Sequence, residues 1–406
     1  WLANGKVQGD KANVEKMAKR VCDLSAYSCN LWASLKDTGT VVAQDKPGAL
    51  ALYEKACDAS NSQACTTAAD KYWQGDGVTY NITSALGLWE KACELWDAAS
   101  CTRAAQWYWY GDTYSGVPQD QAKAFTLYQS GCNRGDMDGC LAAGQLLTDG
   151  TDGTGVKNPK GAVDYYSYAC SYGNGHACWL MGDLYTNGTA TGTADLIDGM
   201  TYYNQACFAY GTVEVAACTK IVETLRVGAD GVPKDLATAG RAQAVVCKNW
   251  GSVADCLLVD QLMKEANADQ YSRQDVVYTI DTACQGGTET ACVALALLYR
   301  DGGFIVGRNV AESATRLQAS CDRYSMDACY RLGESYEKGL GVEKSADQAR
   351  LQYQKACDNY IADACVAIAR VAGDPKEAVE LFERLCDQGT AAGCSGAANA
   401  YYSGNG

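Results

Sequence analysis

Cysteine placement constrains this chain more than any other feature. All 22 cysteines of the 406 residues fall into local pairs. Cys22 pairs with Cys29, Cys57 with Cys65, Cys93 with Cys101, Cys132 with Cys140, Cys170 with Cys178, and Cys207 with Cys218. Further along, Cys247 pairs with Cys256, Cys284 with Cys292, Cys321 with Cys329, Cys357 with Cys365, and Cys386 with Cys394. Eight of these 11 pairs share a spacing of eight. Zinc sites favour closer pairs with a second pair or histidines nearby, and haem attachment needs Cys-x-x-Cys-His. Neither pattern occurs in the sequence. A disulfide needs Cα atoms roughly 4.4–6.8 Å apart, whereas eight residues of unbroken helix would hold them about 12 Å apart. The chain must therefore turn between the cysteines of each pair. Each closed loop stabilises by roughly 2.5 kcal/mol in the chain-entropy account. Eleven nearest-neighbour disulfides in an oxidising compartment are expected.

The pairs also set a period. Successive first cysteines are 35, 36, 39, 38, 37, 40, 37, 37, 36 and 29 residues apart, the signature of stacked two-helix units. Seven residues past the second cysteine stands Tyr72, Tyr108, Tyr185, Tyr299, Tyr336 or Tyr401, with Leu147, Leu225 and Met263 as apolar substitutes. Three residues further comes a glycine, among them Gly39, Gly75, Gly111, Gly150, Gly188, Gly228, Gly302, Gly339 and Gly404. Residues such as Met181, Gly182 and Tyr185, or Leu332, Gly333 and Tyr336, mark one apolar stripe of a first helix. The glycine supplies its left-handed cap. A Gly-Val turn follows, then Asn81, Asp120, Asn158, Asp235 or Asn309 as N-cap of a second helix, which ends on motifs such as Lys55-Ala56-Cys57 or Lys355-Ala356-Cys357. Each disulfide then joins one repeat's second helix to the next repeat's first.

These residues carry a resemblance that spans essentially the whole chain. Lys-Ala-Cys-Asp, a second cysteine eight residues on, Tyr-x-x-Gly and Gly-Val together resemble the SEL-like repeat. In disulfide-bearing form the pattern is similar to the Helicobacter cysteine-rich protein family. The resemblance implies an all-α fold, an α/α superhelical solenoid of about ten SEL-like, TPR-like repeats stapled by disulfides. It also implies a secreted, periplasmic or cell-surface location, with the mitochondrial intermembrane space as the alternative. Family members are described as penicillin-binding, as weak β-lactam hydrolases and as interaction scaffolds, so architecture is specified and function is left open.

Residues 1–406 read as a single solenoid with an irregularity or bend at 207–275, where pair spacings widen and Ala266 replaces the capping glycine. The last step is shortened at Asp374-Pro375. Both ends fall within a repeat, so residue 1 is not expected to be the natural start.

Composition narrows the partners. Thirty-four Lys and Arg against 48 Asp and Glu give a net charge of −14, against the clustered basic residues that nucleic acid requires. No window approaches the ~18 apolar residues of a membrane helix.

Catalytic groups are scarce. His176 is the one histidine and is read as a loop surface residue between Cys170 and Cys178. Serine β-lactam enzymes use Ser-x-x-Lys with Ser-Asp-Asn and Lys-Thr-Gly, and Ser335-Tyr336-Glu337-Lys338 has neither companion. Asp149-Gly150-Thr151-Asp152-Gly153 lacks the calcium-loop spacing. No metal or cofactor site is expected. Asn81-Ile82-Thr83 and Asn187-Gly188-Thr189 are glycosylation sequons and indicate surface location.

Aromatic density is the one feature above background. Trp73, Trp89, Trp96, Trp107 and Trp109 fall within 37 residues. Trp73 and Trp109 occupy a position that other repeats give to Thr186, Arg226, Lys264, Arg300 and Glu337, so both are expected at the surface. Trp73, Trp107 and Trp109 are the candidate partner-binding residues. The expected function is a non-catalytic extracytoplasmic scaffold for protein, peptide or glycan, with a β-lactam- or peptidoglycan-binding enzyme as the alternative.

Overall fold

The computed structural model describes residues 11–189, 191–208, 211–229, 231–249, 251–359, 361–371, 375–387, 389 and 391–402. Among the described residues are 22 α-helices and no β-strand. The chain divides into two compact units between Val213 and Glu214.

The first unit contains α1 (Lys11–Leu24), α2 (Cys29–Thr38), α3 (Lys46–Asp58), α4 (Ser62–Gln74), α5 (Ile82–Glu94), α6 (Ala98–Tyr110), α7 (Gln121–Asn133), α8 (Met137–Asp149), α9 (Pro159–Ser171), α10 (Gly175–Thr186) and α11 (Leu196–Cys207). Within it each helix packs against the next, as an α/α solenoid requires. Asparagine and aspartate start both helices of a repeat. Asn81, Asp120 and Asn158 accept the backbone N–H three residues on and begin second helices, and Asn61, Asp97 and Asn174 do the same for first helices. Gly75 closes α4 at φ 70° and ψ 26°, a left-handed cap that a side chain would strain.

The core lies between the helices of each pair, and the second helix contributes a large side chain to it. Four residues before the first cysteine, Tyr53, Trp89, Tyr128, Tyr166 and Tyr203 are all buried. Small residues on the facing first helix make room for them. An added Cβ on Gly182 would stand 2.4 Å from the Tyr203 ring, so only glycine fits. Tyr72, Tyr108 and Tyr185, seven residues past the second cysteine, are half-buried at its margin. The Tyr72 hydroxyl there donates to Glu54 at 2.8 Å.

The second unit contains α12 (Val215–Val227), α13 (Leu236–Asn249), α14 (Val253–Glu265), α15 (Gln270–Gln285), α16 (Glu289–Asp301), α17 (Val310–Asp322), α18 (Met326–Lys338), α19 (Ala346–Cys357), α20 (Ala362–Val371), α21 (Pro375–Asp387) and α22 (Ala391–Tyr402). Tyr353 and Leu317 fill the same core position as the buried aromatics above, and Asp235 and Asn309 cap their helices. Packing departs from the pattern at α13 to α16, where α15 lies mainly against α13 and α16 and barely touches α14. Two sequence features account for this. The polar Gln243 replaces the core aromatic and donates to the Asp255 carbonyl at 3.1 Å. Without glycine at Ala266, α14 passes to α15 through only four residues, too few for the usual Gly-Val turn. Pro375 begins α21, while Asp374, Gly404 and residues 1–10 lie outside the described residues.

Disulfides close at successive helix junctions. In the first unit Cys22 bonds to Cys29, Cys57 to Cys65, Cys93 to Cys101, Cys132 to Cys140, and Cys170 to Cys178. In the second, Cys247 bonds to Cys256, Cys284 to Cys292, Cys321 to Cys329, Cys357 to Cys365, and Cys386 to Cys394. The Cα atoms of these ten bonds stand 4.2–4.8 Å apart, a separation that the turn after each second helix produces. Cys207 and Cys218 are both disulfide-bonded as well. No described cysteine is free. Each of the ten bonds ties the end of one helix to the start of the next across a tight junction, so the staples run between repeats.

Candidate functional site

Four residues of α6 share one stripe at i, i+3, i+4 and i+7: Arg103, Gln106, Trp107 and Tyr110. That stripe faces the end of α4, which carries Trp73, and α5 lays Trp89 beneath both. Together with Gly111 these residues line a pocket of about 360 Å³. The Trp73 and Trp89 rings meet at 6.2 Å between centroids with their planes 57° apart. Trp73 is 44% exposed and Tyr110 is 76% exposed, so the pocket is apolar yet open. Asp70 organises its polar edge. Its Oδ1 accepts from the Trp89 indole at 3.1 Å and from the Arg103 guanidinium at 2.6 Å, fixing ring and cation together.

The structure thus brings Trp73 and Trp107 together and leaves Trp109 out. Trp109 is half-buried, packed with Ala142 against the cluster of Ala105, Tyr128 and Leu146. The reason lies in the helix each ring meets. Trp109 packs against a buried cluster that includes Ala105, Tyr128 and Leu146, whereas Trp73 shares its open pocket with Trp107 and Tyr110. Arg103, Gln106, Tyr110 and Trp89 are additions to the set expected from sequence. Helical spacing from Trp107 identifies Arg103 and Tyr110, four before it and three after it, and Gln106 joins them as the residue three past Arg103 and four before Tyr110. Trp96 stands away from the pocket at a repeat junction, 77% exposed, with the Arg134 guanidinium 5.3 Å over its ring.

Behind α6, the Lys123 ammonium lies 4.0 Å over the Tyr108 ring and donates to its hydroxyl at 2.6 Å. Burial first, and then the hydrogen bond with Glu90, pushes the Tyr108 phenol above its ordinary range. Lys123 also pairs with Glu90 at 2.6 Å, so the cluster links α5, α6 and α7.

The remaining candidates have structural partners. Ser335 is buried and its hydroxyl donates to the Arg331 carbonyl one turn earlier at 3.0 Å. Lys338 turns outward to Glu334 at 3.7 Å, so the two residues are not arranged as nucleophile and base. His176, expected on a loop surface, is instead half-buried in the first turn of α10, where its ring stacks 5.2 Å from that of Trp179. Asp152 is buried and accepts from the backbone and hydroxyl of Thr154, which occupies its Oδ1. No cluster of three metal-ligating side chains occurs among the described residues. Asn81 and Asn187 are both exposed. No helix among the described residues is long and apolar enough to cross a membrane.

The Sel1 repeat family model matches residues 26–61, 63–95, 98–136, 138–174, 175–207, 327–360 and 369–390. Among solved structures, a protective antigen of uropathogenic Escherichia coli strains with an SLR fold is 19% identical, with a TM-score of 0.48, over 92% of this chain and 75% of that one. A Sel1 repeat protein from Oxalobacter formigenes is 20% identical, with a TM-score of 0.44, over 56% of this chain and 92% of that one. No curated protein matches significantly.

Proposed function

The chain belongs to the Sel1 repeat family, and on that premise we propose that it is a non-catalytic scaffold of an oxidising, extracytoplasmic compartment that captures a protein or peptide partner through the Trp73–Trp107 pocket. Sel1 repeats serve characteristically as protein-interaction scaffolds. Disulfides at successive repeat junctions support the compartment, since such bonds persist where thiols are not kept reduced. The observation that carries the binding reading is the pocket itself. Three tryptophans and a tyrosine converge there with a paired arginine, and aromatic residues and arginine dominate the energetics of protein interfaces. Hydrophobic burial does not explain this exposure, because Trp109 at the equivalent place packs away.

The test compares partner capture by the wild-type chain, by the Trp73→Ala, Trp107→Ala double variant and by Ser335→Ala, each checked for helix content and disulfide pairing. A partner retained by wild type and Ser335→Ala but lost by the double variant supports the reading. Equal capture by all three removes the pocket from the function. Turnover of a β-lactam or muropeptide that Ser335→Ala abolishes would establish an enzyme instead.

A further inference from the structure

The polar groups around the pocket are unbalanced. Arg103 has five N–H donors and no acceptor, and among the described residues one of them is engaged, by Asp70. The Trp89 indole N–H is likewise taken by Asp70. The Gln106 side-chain amide and the indole N–H groups of Trp73 and Trp107 have no hydrogen-bond partner among the described residues. Against these donors the pocket and its edge offer fewer acceptors, namely the Gln106 side-chain carbonyl, the Tyr110 hydroxyl, the Gly111 backbone carbonyl and the second Asp70 carboxylate oxygen. A matching ligand therefore has an apolar body and brings acceptors in excess of donors.

Charge and shape narrow the choice. Arg103 and Asp70 neutralise each other, so the edge presents no net charge that demands an ionic ligand. Sugar hydroxyls bring one donor each, and any that finds no acceptor on the lining loses water without a replacement. The tilt between Trp73 and Trp89 also makes a walled recess in place of the single flat platform on which a sugar ring stacks. A volume near 360 Å³ lies at the lower end of ligand pockets, about 300–1,000 Å³, and suits one large side chain with its neighbouring peptide groups. An extended peptide supplies a carbonyl at each residue.

The geometry points to one ligand class, and this inference rests on the binding reading above: the pocket takes a single large apolar side chain of an extended peptide segment, whose flanking carbonyls accept from Arg103 and Gln106. The side chain inserts between Trp73 and Trp107 over Trp89. Arg103 contributes as a hydrogen-bond donor held in place by Asp70, so its replacement weakens binding without disturbing the core, because it is half-exposed.

The experiment is selection of a random-peptide display library on the immobilised, fully oxidised chain, followed by affinity measurement with synthetic peptides. Enriched peptides are expected to converge on one large apolar residue, and its replacement by alanine is expected to weaken binding about tenfold or more. Arg103→Met, which keeps the stem and removes the donors, should weaken the same peptides several-fold, and Trp107→Ala should abolish binding. Failure to enrich any peptide, or enriched peptides that bind Arg103→Met and Trp107→Ala as tightly as wild type, overturns the inference. A parallel oligosaccharide panel distinguishes the two readings. Trp73-dependent sugar binding without peptide binding would overturn the ligand class and leave partner capture standing, whereas pocket variants that capture their partner normally would remove the binding reading itself.

Discussion

Gly182 lies directly under the ring of Tyr203, with room for a hydrogen and none for a methyl group, since an added Cβ would stand 2.4 Å from two ring carbons. Gly182→Ala should therefore destabilise the first unit by about 1–3 kcal/mol, as overpacked cores do. Gly87 gives the opposite expectation. It is exposed within α5 with nothing within 4 Å of an added Cβ, so Gly87→Ala should stabilise by about 0.5–1 kcal/mol. Chemical denaturation of the two variants separates close packing from helix propensity, and equal effects would refute the contact.

Lys71 is a deeply placed cation of the first unit, its side chain 5% exposed, and it bridges Asp37 and Asp76. Burial works against its charge, but the hydrogen bonds to both carboxylates outweigh that and raise its pKa. Lys71→Met should cost about 1–3 kcal/mol and leave two carboxylates without their shared cation.

Acid should erode the same network. Hydrogen bonds from Lys46 and then Lys71 hold the Asp76 carboxyl below its ordinary 3.8, and Lys36 does so for Asp45. The folded state thus favours the ionised carboxylates. Their contribution is present above pH 3.8 and is lost as the pH falls through the lower folded values. Melting temperature measured down that range should drop, and less steeply in Lys71→Met.

Alkali probes the core aromatics. Burial pushes the Tyr166 phenol up to about 12, and drives Tyr128, Tyr203 and Tyr353 further up. These groups favour folding while protonated, so their contribution is fully present below pH 10 and is lost as the pH climbs from there through the raised folded values. Phenolate absorbance should rise in two stages, with the buried set ionising only as helix content collapses. A single stage completed in the folded protein would contradict the burial.

Removing one staple should be measurable. Replacing Cys57 and Cys65 together by alanine should lower stability by about 2–3 kcal/mol, the value for so short a loop, while the remaining cystines map to nearest neighbours. A bridge between different pairs in the unmodified chain, such as Cys93 to Cys140, would refute the junction scheme.

Much of the fold is legible because the cysteines impose a register on the sequence. Once that register is set, Gly75 reads as a cap and Asn81 as a helix start from their offsets alone. The core aromatic is harder to see when the repeats are aligned on the second cysteine. Aligned on the first, Tyr53, Trp89, Tyr128, Tyr166, Tyr203 and Tyr353 form one column, and Gln243 marks the repeat whose packing departs. The half-buried Tyr72 and Tyr108 stand in the more conspicuous column and draw attention from it.

The pocket is legible only in part. Trp73 and Trp109 hold equivalent positions, and no property of either residue separates them. Their different environments come from the first helix of the following repeat, where Trp107 and Tyr110 line an open pocket beside Trp73 while Ala142 and Leu146 pack in the cluster that takes Trp109. Surface placement of a ring in a repeat array is set by its neighbour one period on, which pattern reading along a single helix does not capture.

The position of the disulfides also determines what a protease can accomplish. Cys57–Cys65 and its counterparts bridge the short junctions between repeats, whereas none of the ten bridges crosses a Gly-Val turn inside a repeat. A cut between Cys57 and Cys65 leaves both fragments covalently attached, and the break becomes visible only on a reducing gel. A cut at the turn around Gly77 has no such tether, and only packing holds the halves together. Cleavage at the stapled junctions therefore changes the number of chain ends without releasing a fragment.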